Sequence, residues 1–370
     1  MKIQTIDWIL YVVTFLLVVF GVVVIYSITY FQEATKNFTQ HQIIYAIIGF
    51  CLIFLFSILD YRFLRASAYL LYVIAIIFLL FLVVTPFGKT MLGATRWINL
   101  GFFQFQPGEL FKIITIIVIA RICDQNELSL KHLIIALFFI FVPVILIMNQ
   151  PDFGTALIIT IIGLSIIFSA GFKTKYLLIL SGVAVLIIAV LLLAVFNVRP
   201  ANKILRDYQK ERVQTFLDAN KDPYGSGYNV AQSIIAVGSG GIFGRGLGYG
   251  PQSQLNFIPS KQTDFIFSVA AEAFGFVGGT ILLGLFAVLI FRLLKIASLA
   301  KDSFGTLFCF GIASYFIFEI LINVGMTIGI MPVTGIPLPL ISYGGTSLWV
   351  SLIALGICQS VKIRHKKISF

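Results

Sequence analysis

The stretch Lys261–Lys295, KQTDFIFSVAAEAFGFVGGTILLGLFAVLIFRLLK, decides the fold. Between Asp264 and Arg292 it holds a single charged side chain, Glu272. The apolar run at 266–291 is longer than the ~20 residues a helix needs to cross the hydrocarbon core. Comparable runs lie at about 8–30, 42–58, 67–85, 107–121, 132–148, 156–170, 176–196, 304–331 and 344–361, which makes ten in all. Hydrophobic residues make up 59% of the 370 and charged ones 11%, with a mean hydropathy of +1.02. Such a composition belongs to membrane proteins and excludes a soluble domain.

Charge sets the orientation. With the N-terminus cytoplasmic, the inner segments carry Arg62, Arg65, Lys173, Lys175, Arg292, Lys295, Lys362 and Arg364, among others, whereas the short outer loops carry Lys36, Lys89 and Arg96. This positive-inside bias puts both termini in the cytoplasm. It also accounts for the net charge of +11 without nucleic acid as a partner. Cys51, Cys123, Cys309 and Cys358 show no CxxC spacing, so neither a disulfide framework nor a zinc site is expected. The first apolar run is too long for a signal-peptide core and lacks a small-x-small cleavage site, so it is expected to stay as the first helix. The expected fold is an all-α polytopic membrane protein, residues 1–370 forming one integral membrane domain. Ten transmembrane helices are expected, with one large extracytoplasmic loop, 197–265, between helices 7 and 8.

That loop begins with ANKILRDYQKERVQTFLDA (201–219), whose apolar stripe among Lys and Arg suits a helix on the membrane surface or on the rest of the loop. Its second part is Gly-rich. Gly244, Gly246, Gly248 and Gly250 recur every second residue, which permits close backbone approach to a ligand but does not meet G-x-G-x-x-G. AQSIIAVGSGGIFG (231–244) is apolar enough for a short helix dipping into the membrane. A second irregular stretch, MPVTGIPLPLISYGG (331–345), is uncharged and broken by Pro and Gly. It is expected to be an ordered re-entrant loop lining a cavity, where such backbone is tolerated at depth.

Ionisable groups inside a membrane are the main functional signal. Glu109 and Lys112 stand at i and i+3, as an internal ion pair or the lining of a polar cavity. Asp152 stands at a helix start, where capping and a site role are both open. Glu272 shares roughly one face with Asp264 and Ser268, and Glu319 lies beside Asn323. Asp264 has three compatible readings: a helix cap, a partner of Lys261 or Arg245, and a general base at the outer surface. Arg96 and Trp97 belong to an outer loop, where Arg can hold a phosphate and Trp can anchor at headgroup level. Outer cations beside a carboxylate point to a lipid-phosphate substrate, either transported or chemically modified.

The motifs RWINLG (96–101), QPGELFK (106–112), QPDFGTA (150–156), GYNVAQSIIAVGSGGIFGRGLG (227–248), QSQLNFIPSKQTDFIFSVAAE (252–272) and GIPLPLISYGGTS (335–347) stand in this order along the chain. In sequence, order and spacing they resemble the SEDS family, the RodA/FtsW/SpoVE group of cell-wall polymerases, and most closely its RodA branch. The resemblance spans essentially the whole chain. It implies an inverting peptidoglycan glycosyltransferase that polymerises lipid II into glycan strands during cell elongation, with polyprenyl pyrophosphate released. The alternative is a lipid II flippase. The resemblance also implies a multi-pass protein of the bacterial inner membrane. Implied partners are a class B penicillin-binding protein and the MreB, MreC and MreD elongation machinery. Asp264 takes the place of the family's essential Asp. Arg96, Trp97, Glu109, Lys112, Asp152, Arg245, Lys261 and Ser342 are the expected substrate-binding residues. A divalent cation, Mg²⁺ or Mn²⁺, bridging pyrophosphate and carboxylate is compatible with the chemistry, and no organic cofactor is expected. The chain departs from the family pattern at Ser260, Ala273 and Gly108, and any role for the carboxylates usual at the first two does not carry over.

Overall fold

The computed structural model describes residues 6–29, 36–84, 88–91, 94–99, 104–196, 198, 207–217, 222 and 225–365. Seven long helices come first: α1 (Trp8–Thr29), α2 (Lys36–Ile58), α3 (Tyr61–Val84), α4 (Pro107–Cys123), α5 (Leu130–Asn149), α6 (Phe153–Ser169) and α7 (Thr174–Val195). Three shorter ones follow, α8 (Asp207–Leu217), α9 (Ser226–Ser239) and α10 (Pro251–Gln254). The chain closes with α11 (Ile266–Leu299), α12 (Ser303–Thr327) and α13 (Gly345–Ile363). The expected spans thus correspond to α1–α7 and α11–α13. Eight of these are long and apolar enough to cross a membrane, while α4 and α6 have 17 residues each. The chain is a multi-pass membrane protein.

Burial orders the bundle. α12 and α13 are buried over 72% of their spans, against 11% for α7, so α7 is peripheral. α4 is buried along nearly its whole length and lies with α6, α12 and α13 at the centre. α2 and α13 approach closely because Gly356 lets its backbone meet Ile53, whose carbonyl oxygen lies 2.6 Å from where a Cβ would stand. A small antiparallel sheet joins α3 to α4: β1 (Gly88–Met91), β2 (Ala94–Asn99) and β3 (Gln104–Phe105). The sequence reading had only a loop here. Thr90, Thr95, Trp97 and Ile98 supply the β-branched and aromatic side chains that suit a hairpin, a weak signal between long apolar runs.

α1 serves as a depth scale. Asp7, at its start, pairs with Arg292 of α11. Ser27 lies ~30 Å away at 1.5 Å per residue, close to the thickness of the hydrocarbon core. There Ser27 meets the α9–α11 segment, its Oγ accepting from Gly248 N (2.9 Å) and its carbonyl from Gln254 Nε2 (2.7 Å). Gly21 lies ~9 Å deeper than Ser27 on the same rise. A Cβ at Gly21 would come within 2.8 Å of the backbone of Ile341. The 328–344 segment therefore descends into the bundle from the end that carries α8–α10, as the re-entrant reading expects.

α11 is broken at Gly275 (φ +66, ψ −162). The break frees backbone groups, and the Gly-rich turn after α9 takes them up. Arg245 N and Gly246 N donate to the carbonyls of Glu272 (2.9 Å) and Ala273 (3.0 Å), while Phe276 N and Val277 N donate to Gly241 O (2.8 Å) and Ile242 O (3.1 Å). A Cβ at Gly244 (φ +83) would lie 2.2 Å from Ala273 O. At Gly244 the close approach is to the backbone of a broken membrane helix. α8 and α9 realise the two expected loop helices; residues 201–206 and 218–219 of the first lie outside the described residues.

Candidate active site

Asp264 lies one residue before the N-cap of α11, Phe265, and no side chain caps that helix. The capping reading of Asp264 therefore falls. Its backbone is gripped instead. Three successive carbonyls, those of Gln262, Thr263 and Asp264, accept from Tyr343 N (2.8 Å), Ser342 Oγ (2.7 Å) and Asn323 Nδ2 (2.8 Å). Two of these donors sit on the re-entrant segment and one on α12. Asn323 Nδ2 also reaches Ile336 O at 2.7 Å. The same re-entrant segment passes the carboxylate at Gly335 (φ +74), where a Cβ would lie 3.5 Å from Asp264 Oδ2. The Asp264 side chain is half-buried. Its main chain is thus fixed from two sides while its carboxylate is not used to cap a helix.

Below Gly335 the neighbouring residues come from α4, α6 and α13. Gly154 packs under Thr334, whose carbonyl oxygen would be 2.7 Å from a Cβ there. Asp152 caps α6, accepting from Thr155 N (3.2 Å) and Thr155 Oγ1 (3.0 Å), so its capping reading holds. It also accepts from Gln106 Nε2 (3.2 Å), the residue that precedes α4. Thr346 Oγ1 donates to Gln104 O (2.8 Å) and accepts from Gln106 N (3.3 Å), which ties α13 to the start of α4. The N-terminal ends of α4 and α6 therefore converge near the re-entrant segment.

One helical turn from Asn323, Glu319 joins a buried cluster. Lys112 Nζ lies 2.7 Å from Glu109 Oε1 and 2.5 Å from Glu319 Oε1, and its ammonium sits 5.4 Å from the Tyr315 ring centroid. All three charged residues are at most 3% exposed. The internal pair expected between Glu109 and Lys112 is present, and Glu319 makes it a triad with one carboxylate in excess. Glu109 Oε2 and Glu319 Oε2 have no hydrogen-bond partner.

The expected cations lie further out. Lys261 Nζ donates to Ser253 O and to Asn256 Oδ1 (2.7 Å), closing the C-terminal end of α10 instead of pairing with Asp264. Burial pushes its pKa down to about 8, against the opposing attraction of Glu272. Glu272 holds the other end of α10, accepting from Gln252 N (2.9 Å) and Ser253 N (3.0 Å). Arg245 Nε donates to Ser239 O (2.9 Å) within the α9 turn. Trp97 is half-buried on β2 opposite Lys89, and the side chain of Arg96 lies outside the described residues. Ser342 spends its one hydroxyl proton on Thr263 O, which makes it a residue that positions the Asp264 backbone.

Sequence reasoning missed Arg212. This α8 residue donates from Nη1 to Thr334 O (3.1 Å), next to Gly335. In the sequence it is one of several basic residues on a surface helix, and nothing local marks it. Gln106 was legible only as part of QPGELFK. Among the described residues no group of three His, Cys, Asp or Glu side chains is placed to hold a metal ion.

The chain resembles known proteins along its whole length. The family described as cell cycle protein FtsW/RodA/SpoVE matches residues 7–367. The peptidoglycan glycosyltransferase MrdB of Escherichia coli K12 is 42% identical over 301 residues, covering 81% of this chain and 78% of that one. The peptidoglycan glycosyltransferase RodA of Treponema pallidum is 32% identical over 427 residues, covering 97% and 98%. A solved structure concerning the coordination of polymerization and crosslinking by a peptidoglycan synthase complex aligns with a TM-score of 0.80 at 30% identity, over 97% of this chain and 98% of that one. The crystal structure of the rod shape determining protein RodA of Thermus thermophilus aligns with a TM-score of 0.70 at 28% identity, over 96% of both.

Proposed function

This chain belongs to the FtsW/RodA/SpoVE family and is a peptidoglycan glycosyltransferase, and we propose that it joins lipid II units into glycan strands with Asp264 as general base. A sugar hydroxyl of one lipid-linked unit attacks the anomeric carbon of the other. The new glycosidic C–O bond forms as the bond to the lipid pyrophosphate breaks, with inversion, and the hydroxyl proton passes to the Asp264 carboxylate. The observation that carries this reading is the grip on Asp264: three successive carbonyls pinned by other elements, and a carboxylate not spent on a cap. Fixed geometry of this kind is what general-base catalysis requires.

The end of the bundle that carries α8–α10 is the extracytoplasmic one on this reading. The basic residues at the opposite helix ends support it, with both termini cytoplasmic in the inner membrane. The sugars then meet Asp264 while the polyprenyl tails stay in lipid. A class B penicillin-binding protein is the proposed partner, supported by the likeness to a synthase complex that polymerises and crosslinks. MreB, MreC and MreD complete the proposed elongation assembly. A divalent cation would neutralise the charge developing on the pyrophosphate, with the Asp264 carboxylate as the group of this chain that would hold it.

The test is Asp264→Asn, purified with the partner and given lipid II. Glycan polymer on gels should vanish. Polymer at the unaltered rate refutes the base role, and lipid II scrambling in liposomes without any polymer would support transport instead.

A further inference from the structure

Between α8, α9 and the outer arm of the re-entrant segment lies a cavity of about 160 Å³. Its walls are largely hydrocarbon, from Phe216, Ile234, Met331 and Val333 among others. Among the described residues that line it, Arg212 alone is charged. Thr215 also lines it; this residue is 5% exposed and its hydroxyl has no hydrogen-bond partner. A buried hydroxyl without a partner costs about 1–3 kcal/mol, so its persistence beside a cavity points to a group that completes it.

The cavity is held in shape. Ser233 Oγ ties α9 to Thr327 O at the end of α12 (2.8 Å), and Arg212 ties α8 to Thr334 O. It also adjoins the reacting centre. Val333 packs on the small core of Ala236, Ile258 and Phe265, the last being the neighbour of Asp264. From Val333, on its wall, to Gly335, beside the Asp264 carboxylate, is at most ~7 Å of backbone. A largely apolar slot with the Arg212 guanidinium among its described lining residues, beside the end of α12, suits an amphiphile with an anionic head at headgroup depth.

We propose that this cavity holds the phosphorylated end of the polyprenyl chain, with the first isoprene units against Phe216, Ile234, Met331 and Val333 and a phosphate on Arg212 and Thr215. The proposal rests on the glycosyltransferase reading, in which a polyprenyl pyrophosphate is released. The shared chemistry, a phosphate on a hydrocarbon stem, also belongs to bilayer phospholipids, and the committed occupant is the polyprenyl one.

Native mass spectrometry of the purified full chain, with polyprenyl pyrophosphate and phosphatidylglycerol in equal amounts and no lipid II, tests it. The unaltered protein should retain the polyprenyl lipid preferentially. Arg212→Met should lower retention at least tenfold, Thr215→Val several-fold, and Val333→Trp, which fills the slot, should abolish it. Equal retention of phosphatidylglycerol, or retention unchanged in both Arg212→Met and Val333→Trp, overturns the proposal. Thr215→Val changes little volume and keeps the test decisive where a larger change unfolds the protein. Asp264→Asn separates the two readings. It should keep the lipid while losing polymer; polymer retained there sinks the base assignment alone, and lipid retention indifferent to Arg212 and Val333 sinks the cavity alone.

Discussion

Asn323 holds Asp264 from behind: its Nδ2 donates to the carbonyl of Asp264 at 2.8 Å and, from the same nitrogen, to that of Ile336 at 2.7 Å. One fully buried amide on α12 therefore joins the segment before α11 to the re-entrant segment. The distance from the Asp264 carboxylate to whatever Gly335 faces depends on that bridge.

Asn323→Leu should consequently act on turnover. Small misplacements at a reacting centre can cost roughly 10²-fold in rate. The expected result is a kcat lowered by about that factor with KM for lipid II nearly unchanged, measured by single-turnover polymerisation. Asn323→Asp, which keeps the shape but replaces the donor with an acceptor, should show the same split. A loss confined to KM would show that Asn323 does not position the base.

The Glu109–Lys112–Glu319 cluster makes a stability prediction. Removing one partner of a buried ion pair leaves an uncompensated charge and costs about 3–5 kcal/mol. Lys112→Met should therefore lower the unfolding temperature sharply in detergent. Adding Glu109→Gln and Glu319→Gln to it should recover most of the loss, because the excess charge is then gone. A triple variant no more stable than Lys112→Met would assign the cluster's contribution to packing.

Gly244 and Gly238 form a matched pair. A Cβ at Gly244 would strike Ala273 O at 2.2 Å with φ at +83, whereas a Cβ at Gly238 in α9 meets nothing within 4 Å. Gly244→Ala should destabilise by more than about 1 kcal/mol, and Gly238→Ala should be neutral or slightly stabilising. Limited proteolysis after α9, run on both variants, reads the difference. Equal cleavage would mean that the turn does not depend on its contact with the broken helix.

Lys261 makes the pH prediction. Burial lowers its folded pKa to about 8 from an ordinary 10.5. Between those values the unfolded chain binds the extra proton, so this group's contribution to stability rises with pH there and is smallest below pH 8. Lys261→Met should flatten that rise. Parallel unfolding midpoints for the two proteins from pH 7.5 to 10.5 would show that Lys261 titrates normally.

The sequence by itself determined the membrane class, the long helices and the segments that carry chemistry. Apolar runs of sufficient length have one outcome in a bilayer, since the backbone must satisfy its own hydrogen bonds there. Asp152 as a cap and Glu109 with Lys112 as a pair were legible for a similar reason: both are contacts within a few residues along one helix. The sheet at 88–105 was obscured because its strands are short and lie between long helices. Only the tertiary structure decided what the other polar residues do. Lys261 and Glu272 clamp α10, Ser342 and Asn323 hold the backbone around Asp264, Glu319 completes a triad with α4, and Arg212 reaches the re-entrant segment. Several of these partners lie tens to hundreds of positions apart, and a polar side chain carries no local mark of which distant carbonyl or carboxylate the folded chain will bring to it.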